Sequence, residues 1–300
     1  MAMFKRFGFF ILTNLLVMVT IGIVWSLISA FFLPSATNQV TVLMIFSLLF
    51  GMTGAFISLL MSRWMAKKMY GVQVIDPKSR DPQHQWLVLK VHEFARRSQL
   101  PAMPEVGIYE SPDVNAFATG PSKKRSLVAV STGLLQKMSR EEAEAVIGHE
   151  IAHVANGDMV TMTLIQGVVN TFAIFFSRLL ASVIASNVEE RNRPLVQFLV
   201  TIVGDIAFTL LGSMVVAWFS RQREFRADKG GAQMAGRDNM VAALRRLQSM
   251  SGMQAQLQAD QDSLAALKIS HQSRGGVAAL FHTHPPLEVR IEALQRSRVG

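Results

Sequence analysis

His149-Glu150-Ile151-Ala152-His153 places two imidazoles and a carboxylate within five consecutive residues. On a helix, residues four apart differ by about 400° of rotation and about 6 Å of rise, so both rings emerge on one face, one turn apart. Imidazoles at that spacing can chelate a single zinc ion. The glutamate beside the first ring reaches water on the metal more easily than the metal itself, which suits a general base. Three fixed letters in five recur by chance, so the pattern carries weight only if the surrounding chain is helical and supplies a further ligand.

The surrounding residues do predict a helix. Ser139-Arg140-Glu141-Glu142 reads as a capping box, with Ser139 as N-cap and Glu142 three residues on, each satisfying an orphan donor of the other. The helix it opens runs through Ala143, Val146 and Ile147 into His149 and His153. Far downstream, Ser220 to Asp228 brings Glu224 and Asp228 one turn apart on a continuing helix. Two readings of that stretch stand side by side. In one, Glu224 completes a two-histidine, one-carboxylate zinc site with an open position, and Asp228 accepts the other N–H of a ligand imidazole. In the other, the arginine-rich segment is a charged collar where a helix leaves a membrane.

The rest of the chain must position these groups. Of its 300 residues, 50% are hydrophobic and 17% charged, a balance that points to a membrane protein with a substantial water-exposed part. The net charge of +9 is read as basic residues gathered on the cytosolic side of a bilayer, and no nucleic-acid-binding module accompanies it. With no cysteine, disulfides, thiolate-bound zinc and thiol nucleophiles are excluded, and a reducing compartment fits.

Four apolar spans are expected: Phe7 to Leu33, Val40 to Met61, Met159 to Ser186 and Leu195 to Phe219. Phe31-Phe32-Leu33-Pro34 does not resemble a signal-peptide cleavage site. Lys5 and Arg6 precede the first span, Arg63, Lys67 and Lys68 follow the second, and no charge lies between, which orients both ends of the pair to the cytosol. Gly51 and Gly54 are candidates for close helix approach. Arg178 and Asp205 fall at similar depth, so they are expected to pair within the membrane. The resulting organisation is a transmembrane hairpin at 1–62, a first cytosolic stretch at 63–158, a second hairpin at 159–219 and a second cytosolic stretch at 220–300.

Within the first cytosolic stretch, Leu87, Val88, Val91, Phe94 and Ala95 recur at helical spacing over Gln85 to Ser98. His92 on that helix is read as a packing or surface residue, as are His271 and His282. Glu105 to Glu110 and Ser126 to Ser131 read as strands. Between them, Val114 to Gly120 is either an exposed strand edge, able to bind a substrate chain by strand addition, or an ordinary strand and loop. Met250 to Gly276 reads as a flap over the cleft or as a helix and linker.

H-E-x-x-H at 149–153 followed, beyond a hydrophobic hairpin, by R-E-F-R-A-D at 223–228 resembles the HtpX family of bacterial membrane-bound heat-shock zinc metalloproteases, relatives of the CAAX prenyl proteases. The resemblance extends over two N-terminal spans, N-A-F at 115–117, the zinc helix, the second hairpin, His284-Pro285-Pro286-Leu287 and Arg290. It implies one zinc ion per chain held by His149, His153 and Glu224, Glu150 as catalytic base, and Asn115 and His284 assisting the substrate backbone or oxyanion with Arg290 nearby. The implied fold is mainly α: four transmembrane helices plus a cytosolic zincin-like metalloprotease domain with a small β-sheet. The implied activity is hydrolysis of misfolded or damaged membrane proteins at the cytosolic face of the bacterial inner membrane, with self-cleavage plausible and no nucleic-acid partner. Two alternatives are weighed. A CAAX-type processing protease shares the chemistry but is similar to a seven-span barrel, and a non-catalytic scaffold or transporter explains Arg178 and Asp205 but not the ligand set.

Overall fold

The computed structural model describes residues 39–261 and 283–297. The span expected over Phe7 to Leu33 lies outside the described residues, as do His271, His282 and the latter part of the 250–276 stretch. Among the described residues, three helices are long and apolar enough to cross a membrane: α1 (Gln39–Met69), α5 (Asp158–Ser186) and α6 (Arg193–Ala235). The chain divides into two compact units, one formed by residues up to Leu60 with Thr161–Val216, the other by Met61–Val160 with the residues from Ala217 on.

The first unit is built from α1, α5 and the leading half of α6. Leu48, Phe172, Leu199 and Val203 point outward, a surface that hydrocarbon solvates and water does not. Small residues let the backbones touch: a Cβ on Gly51 would lie 2.5 Å from the backbone nitrogen of Thr171, and one on Gly204 would lie 2.9 Å from Ser177 Cβ. Gly54, expected to act like Gly51, meets nothing within 4 Å of a Cβ built on it among the described residues. Arg178 Nη1 stands 3.4 Å from Asp205 Oδ1, and Ser177 Oγ donates to the same oxygen. The guanidinium also lies over the Phe46 ring, 5.5 Å from its centroid, which offsets part of its desolvation.

The second unit carries a four-stranded mixed sheet. Its strands are β1 (Gln73–Val74), β2 (Glu105–Tyr109), β3 (Ala116–Ser122) and β4 (Arg125–Ser131), in the order β1-β2-β4-β3. β2 runs parallel to β4, and β3 pairs with β4 as an antiparallel hairpin. β4 is central and buried from Ser126 to Ser131. β3 is an edge, bonded on one side to β4. At its end Gly120 adopts φ 144°, where a Cβ would collide with Arg125 O at 2.1 Å, so only glycine fits the kink that breaks the register.

Helices cover this sheet. α2 (Pro82–Arg97) starts earlier than its apolar periodicity suggests. Asp81 is its N-cap, accepting from Gln83 N and His84 N at 2.8 and 2.9 Å, and Pro82 takes the first helical position. Ser131 caps a short helix, α3 (Thr132–Lys137), that apolar spacing does not reveal. α4 (Arg140–Asn156) opens on the Ser139–Glu142 capping box. Its apolar face sets Ile147 and Ile151 into a fully buried core with Leu87, Val91, Phe94, Val128 and Leu134. After the end of α6, α7 (Arg237–Gln261) and α8 (Leu287–Arg296) pack Met240, Leu244, Ile291 and Leu294 around Ala145 of α4. The early part of the 250–276 stretch is therefore helical.

Candidate metal centre

Two helices build the site. α4 presents His149 and His153 on one face, and it ends at Gly157, whose φ of 75° is the left-handed conformation that closes a helix. At Asn156-Gly157-Asp158 one helix ends and α5 begins at the residue after the glycine. α6 crosses α4 at glycines. A Cβ on Gly231 would lie 3.0 Å from His149 N and 3.2 Å from Ala145 O, and one on Gly230 would lie 2.4 Å from Ala152 Cβ. That approach brings Glu224 and Asp228, about two turns and one turn earlier on α6, level with the imidazoles.

His149 Nε2 and His153 Nε2 face each other at 3.1 Å, with the rings edge-on at 89°. Glu224 Oε2 lies 3.6 Å from His149 Nε2, and Glu224 Oε1 lies 3.4 Å from His153 Nε2. On the far side of each ring stands a carboxylate. His149 Nδ1 is 2.9 Å from Asp228 Oδ1 and His153 Nδ1 is 2.7 Å from Asp158 Oδ2. The His153 contact is a hydrogen bond, whereas Asp228 approaches His149 obliquely and holds it mainly by charge. All five side chains are buried.

This donor set fits a divalent cation. Carboxylates beside Nδ1 keep the ring protons there, which turns both Nε2 lone pairs toward each other and toward Glu224. With neither a proton nor an ion at Nε2, lone pairs 3.1 Å apart would repel, and Glu224 Oε1 is buried with no hydrogen-bond donor of its own. Three ligand atoms on a tetrahedron with arms of about 2.05 Å stand about 3.3 Å apart. The observed spacings bracket that value, and all three ligand atoms lie within 4.8 Å of one another.

The electrostatics point the same way. Burial opposes protonation of His149, yet Asp228 and Glu224 overrule it and its pKa is raised to about 9. Burial likewise opposes charge on His153, but Asp158 and Glu224 shift it upward. For Glu224 burial is again the largest influence, and His149, His153 and His284 reverse it, holding the carboxyl far below the usual range. Asp228 is lowered against its burial by Arg290 and His149. A proton or a metal ion at Nε2 answers the same excess of negative charge.

The other anticipated residues gather at one cavity of about 160 Å³ lined by Asn115, His149, Glu150, Glu224, His284 and Arg290. Val146, Met240 and Leu244 form its apolar wall. Asn115 sits one residue before β3, where its carbonyl accepts from Ser131 N and extends the ladder. His284 Nδ1 is 2.9 Å from Glu224 Oε2. Arg290 makes a bidentate pair with Asp228 at 2.8 and 2.6 Å and reaches Glu224 Oε2 at 3.3 Å, so its guanidinium braces two carboxylates. His92, by contrast, faces Pro104 O at 3.2 Å, in keeping with a packing residue.

Two participants escape the sequence reading. Asp158 passes for a turn residue although it orients His153, and the usable signal is a carboxylate directly after a glycine that ends the histidine helix. Gly230-Gly231 passes unremarked although it permits the helix crossing, and its signal is two adjacent glycines inside a helix.

Residues 81–298 match the model of peptidase family M48. The chain is 51% identical to the protease HtpX homolog of Bacillus velezensis, covering 98% of this chain and 99% of that one. It is 50% identical to protease HtpX of Escherichia coli K12 over 97% of each. Among solved structures it resembles S. mikatae Ste24p, with a TM-score of 0.60 at 17% identity. That likeness covers 94% of this chain and 65% of the other, and concerns the fold alone.

Proposed function

The chain belongs to peptidase family M48 and is a membrane-bound metalloprotease, and from that premise we propose that His149, His153 and Glu224 hold one zinc ion and that Glu150 is the catalytic base. The observation that carries this reading is the convergence of two Nε2 lone pairs and one buried, partnerless carboxylate oxygen. When bound, zinc supplies Lewis acidity that polarises a peptide carbonyl and acidifies water. Asp228 and Asp158 fix the ring tautomers from behind, and Arg290 keeps Asp228 ionised and in place.

A polypeptide in extended form adds to the free side of β3, its main chain recognised regardless of sequence. Asn115, at the start of that strand, and His284, across the cavity, orient the scissile carbonyl. A carboxylate oxygen of Glu150 takes a proton from the attacking water as the new C–O bond forms. It then delivers that proton to the amide nitrogen as the C–N bond breaks. The cavity's apolar wall accepts a hydrophobic side chain next to the cleaved bond.

The wider reading has four spans, the first within residues 1–38, with both termini and the site on the cytosolic face of the bacterial inner membrane. The domain order is the one the sequence predicts, 1–62, 63–158, 159–219 and 220–300. Misfolded or damaged membrane proteins are the substrates, in stress-linked quality control, and self-cleavage is within reach of such an enzyme. Glu150→Gln in the full-length chain tests the mechanism. Cleavage of an unfolded membrane substrate should fall on the order of 10²-fold or more while zinc content stays near one per chain. Undiminished cleavage by that variant would overturn the assignment.

A further inference from the structure

At the Asp228–Arg290 pair lies a second cavity of about 420 Å³, which shares Arg290 with the one described above and which the peptidase chemistry does not use. Its polar lining includes Gln222, Arg226, Lys229 and Arg290, and its floor is apolar, formed by Phe225 and Leu294. The single carboxylate there, Asp228, is already engaged with Arg290 and His149. Lys229 makes no ion pair among the described residues. Arg226, mostly exposed, has only a loose contact with Asp158 at 3.8 Å. Arg226 and Lys229 are three residues apart on α6 and so share a face. The cavity thus carries two cations whose charge nothing in it neutralises.

Its place along α6 narrows the ligand. The apolar run of that helix ends in Trp218 and Phe219, both exposed, and tryptophan, with an apolar ring and a polar N–H, settles where hydrocarbon meets headgroups. Arg226 follows about 10 Å further along the axis, within reach of a headgroup phosphate. We propose that this cavity binds a phosphate group, seated between Arg226 and Lys229, with any organic portion it carries against Phe225 and Leu294. A phosphoglycerol lipid headgroup and a free phosphate share that chemistry.

The experiment uses the full-length chain in micelles containing equal phosphatidylglycerol and phosphatidylcholine, with retained lipid counted by native mass spectrometry. Wild type should retain phosphatidylglycerol preferentially. Arg226→Gln with Lys229→Gln should weaken that preference on the order of thirtyfold, about one surface charge's worth of attraction at each position. The charge-preserving exchange, Arg226→Lys with Lys229→Arg, should keep it, and Ala293→Glu, which sets a carboxylate at the exposed rim of the cavity, should abolish it. Added inorganic phosphate separates the sources. Displacement of lipid at millimolar phosphate assigns a free anion, and retention assigns the headgroup. Equal retention of both lipids by wild type, or an unchanged preference in the double glutamine variant or in Ala293→Glu, overturns the proposal.

Discussion

Replacing Asp158 with asparagine keeps the shape of the side chain and removes its charge. In the structure its Oδ2 accepts from His153 Nδ1 at 2.7 Å, buried from water, so the contact is strong and unscreened. With aspartate, the ring proton is held on Nδ1 and the Nε2 lone pair is pushed toward the metal position. With asparagine the amide can turn its NH₂ toward the ring, favouring the tautomer whose Nε2 carries the proton and cannot ligate. Loss of such an orienting partner costs about 10–100-fold in metal affinity, or about 1.4–2.7 kcal/mol. Titrating zinc into wild type and variant against a chromophoric chelator measures the dissociation constants directly. Cleavage rates at saturating zinc should recover far more than rates at limiting zinc, because the defect is in holding the ion. A dissociation constant within twofold of wild type, in Asp158→Asn and Asp158→Ala alike, would refute the argument that Asp158 sets the tautomer.

Three other outcomes follow from the same coordinates. With the His149 pKa at about 9 in the metal-free protein, about 90% of that ring is protonated at pH 8, so zinc binding there should release about one proton. Calorimetry in two buffers of different ionisation enthalpy reads that number, and buffer-independent heats would contradict it. Arg178→Asp or Asp205→Arg alone should lower the yield of folded protein, each setting two like charges face to face at a cost of about 3 kcal/mol per unpaired charge among apolar helices, and the double reversal should restore it. Equal yields from all four proteins would show the pair to be incidental. Gly230→Ala must push α6 away from Ala152, since the new Cβ would fall 2.4 Å from that residue's own. The expected loss is about 1–3 kcal/mol in chemical denaturation, together with weaker zinc binding, despite alanine's better helix propensity. Unchanged denaturation and zinc affinity would mean that the crossing has room to spare.

What could be read in the residues was whatever repeats along one element. The H-E-x-x-H pair needs only helical geometry, and the Ser139–Glu142 box announces that helix before the first histidine. Glu224 and Asp228 disclose their shared face in the same way, and equal counts from one turn bring Arg178 and Asp205 together. What stayed hidden depends on contacts between elements. Asp158 reaches His153 because Gly157 turns the chain through a left-handed residue, and no periodicity reports that. Asp81-Pro82 has the chemistry of a linker and of a helix start alike, so the apolar stripe alone placed α2 too late. β1 has two residues, too few for an alternation to register. Gly51 and Gly54 are indistinguishable in sequence, yet among the described residues a Cβ on Gly51 would meet Thr171 and one on Gly54 would meet nothing.

Glu224 and Asp228 lie on the same unbroken helix that carries the last apolar span, far beyond the histidines in chain order. During synthesis the histidine helix therefore leaves the ribosome well before the carboxylates proposed to join it at the metal. A nascent chain holding α4 alone has two imidazoles and no anionic ligand opposite them, and it cannot retain the ion tightly. On the proposed ligand set, hydrolytic competence would arrive only after the apolar run of α6 has been translated, so the order of translation would act as a safety catch on the immature protease.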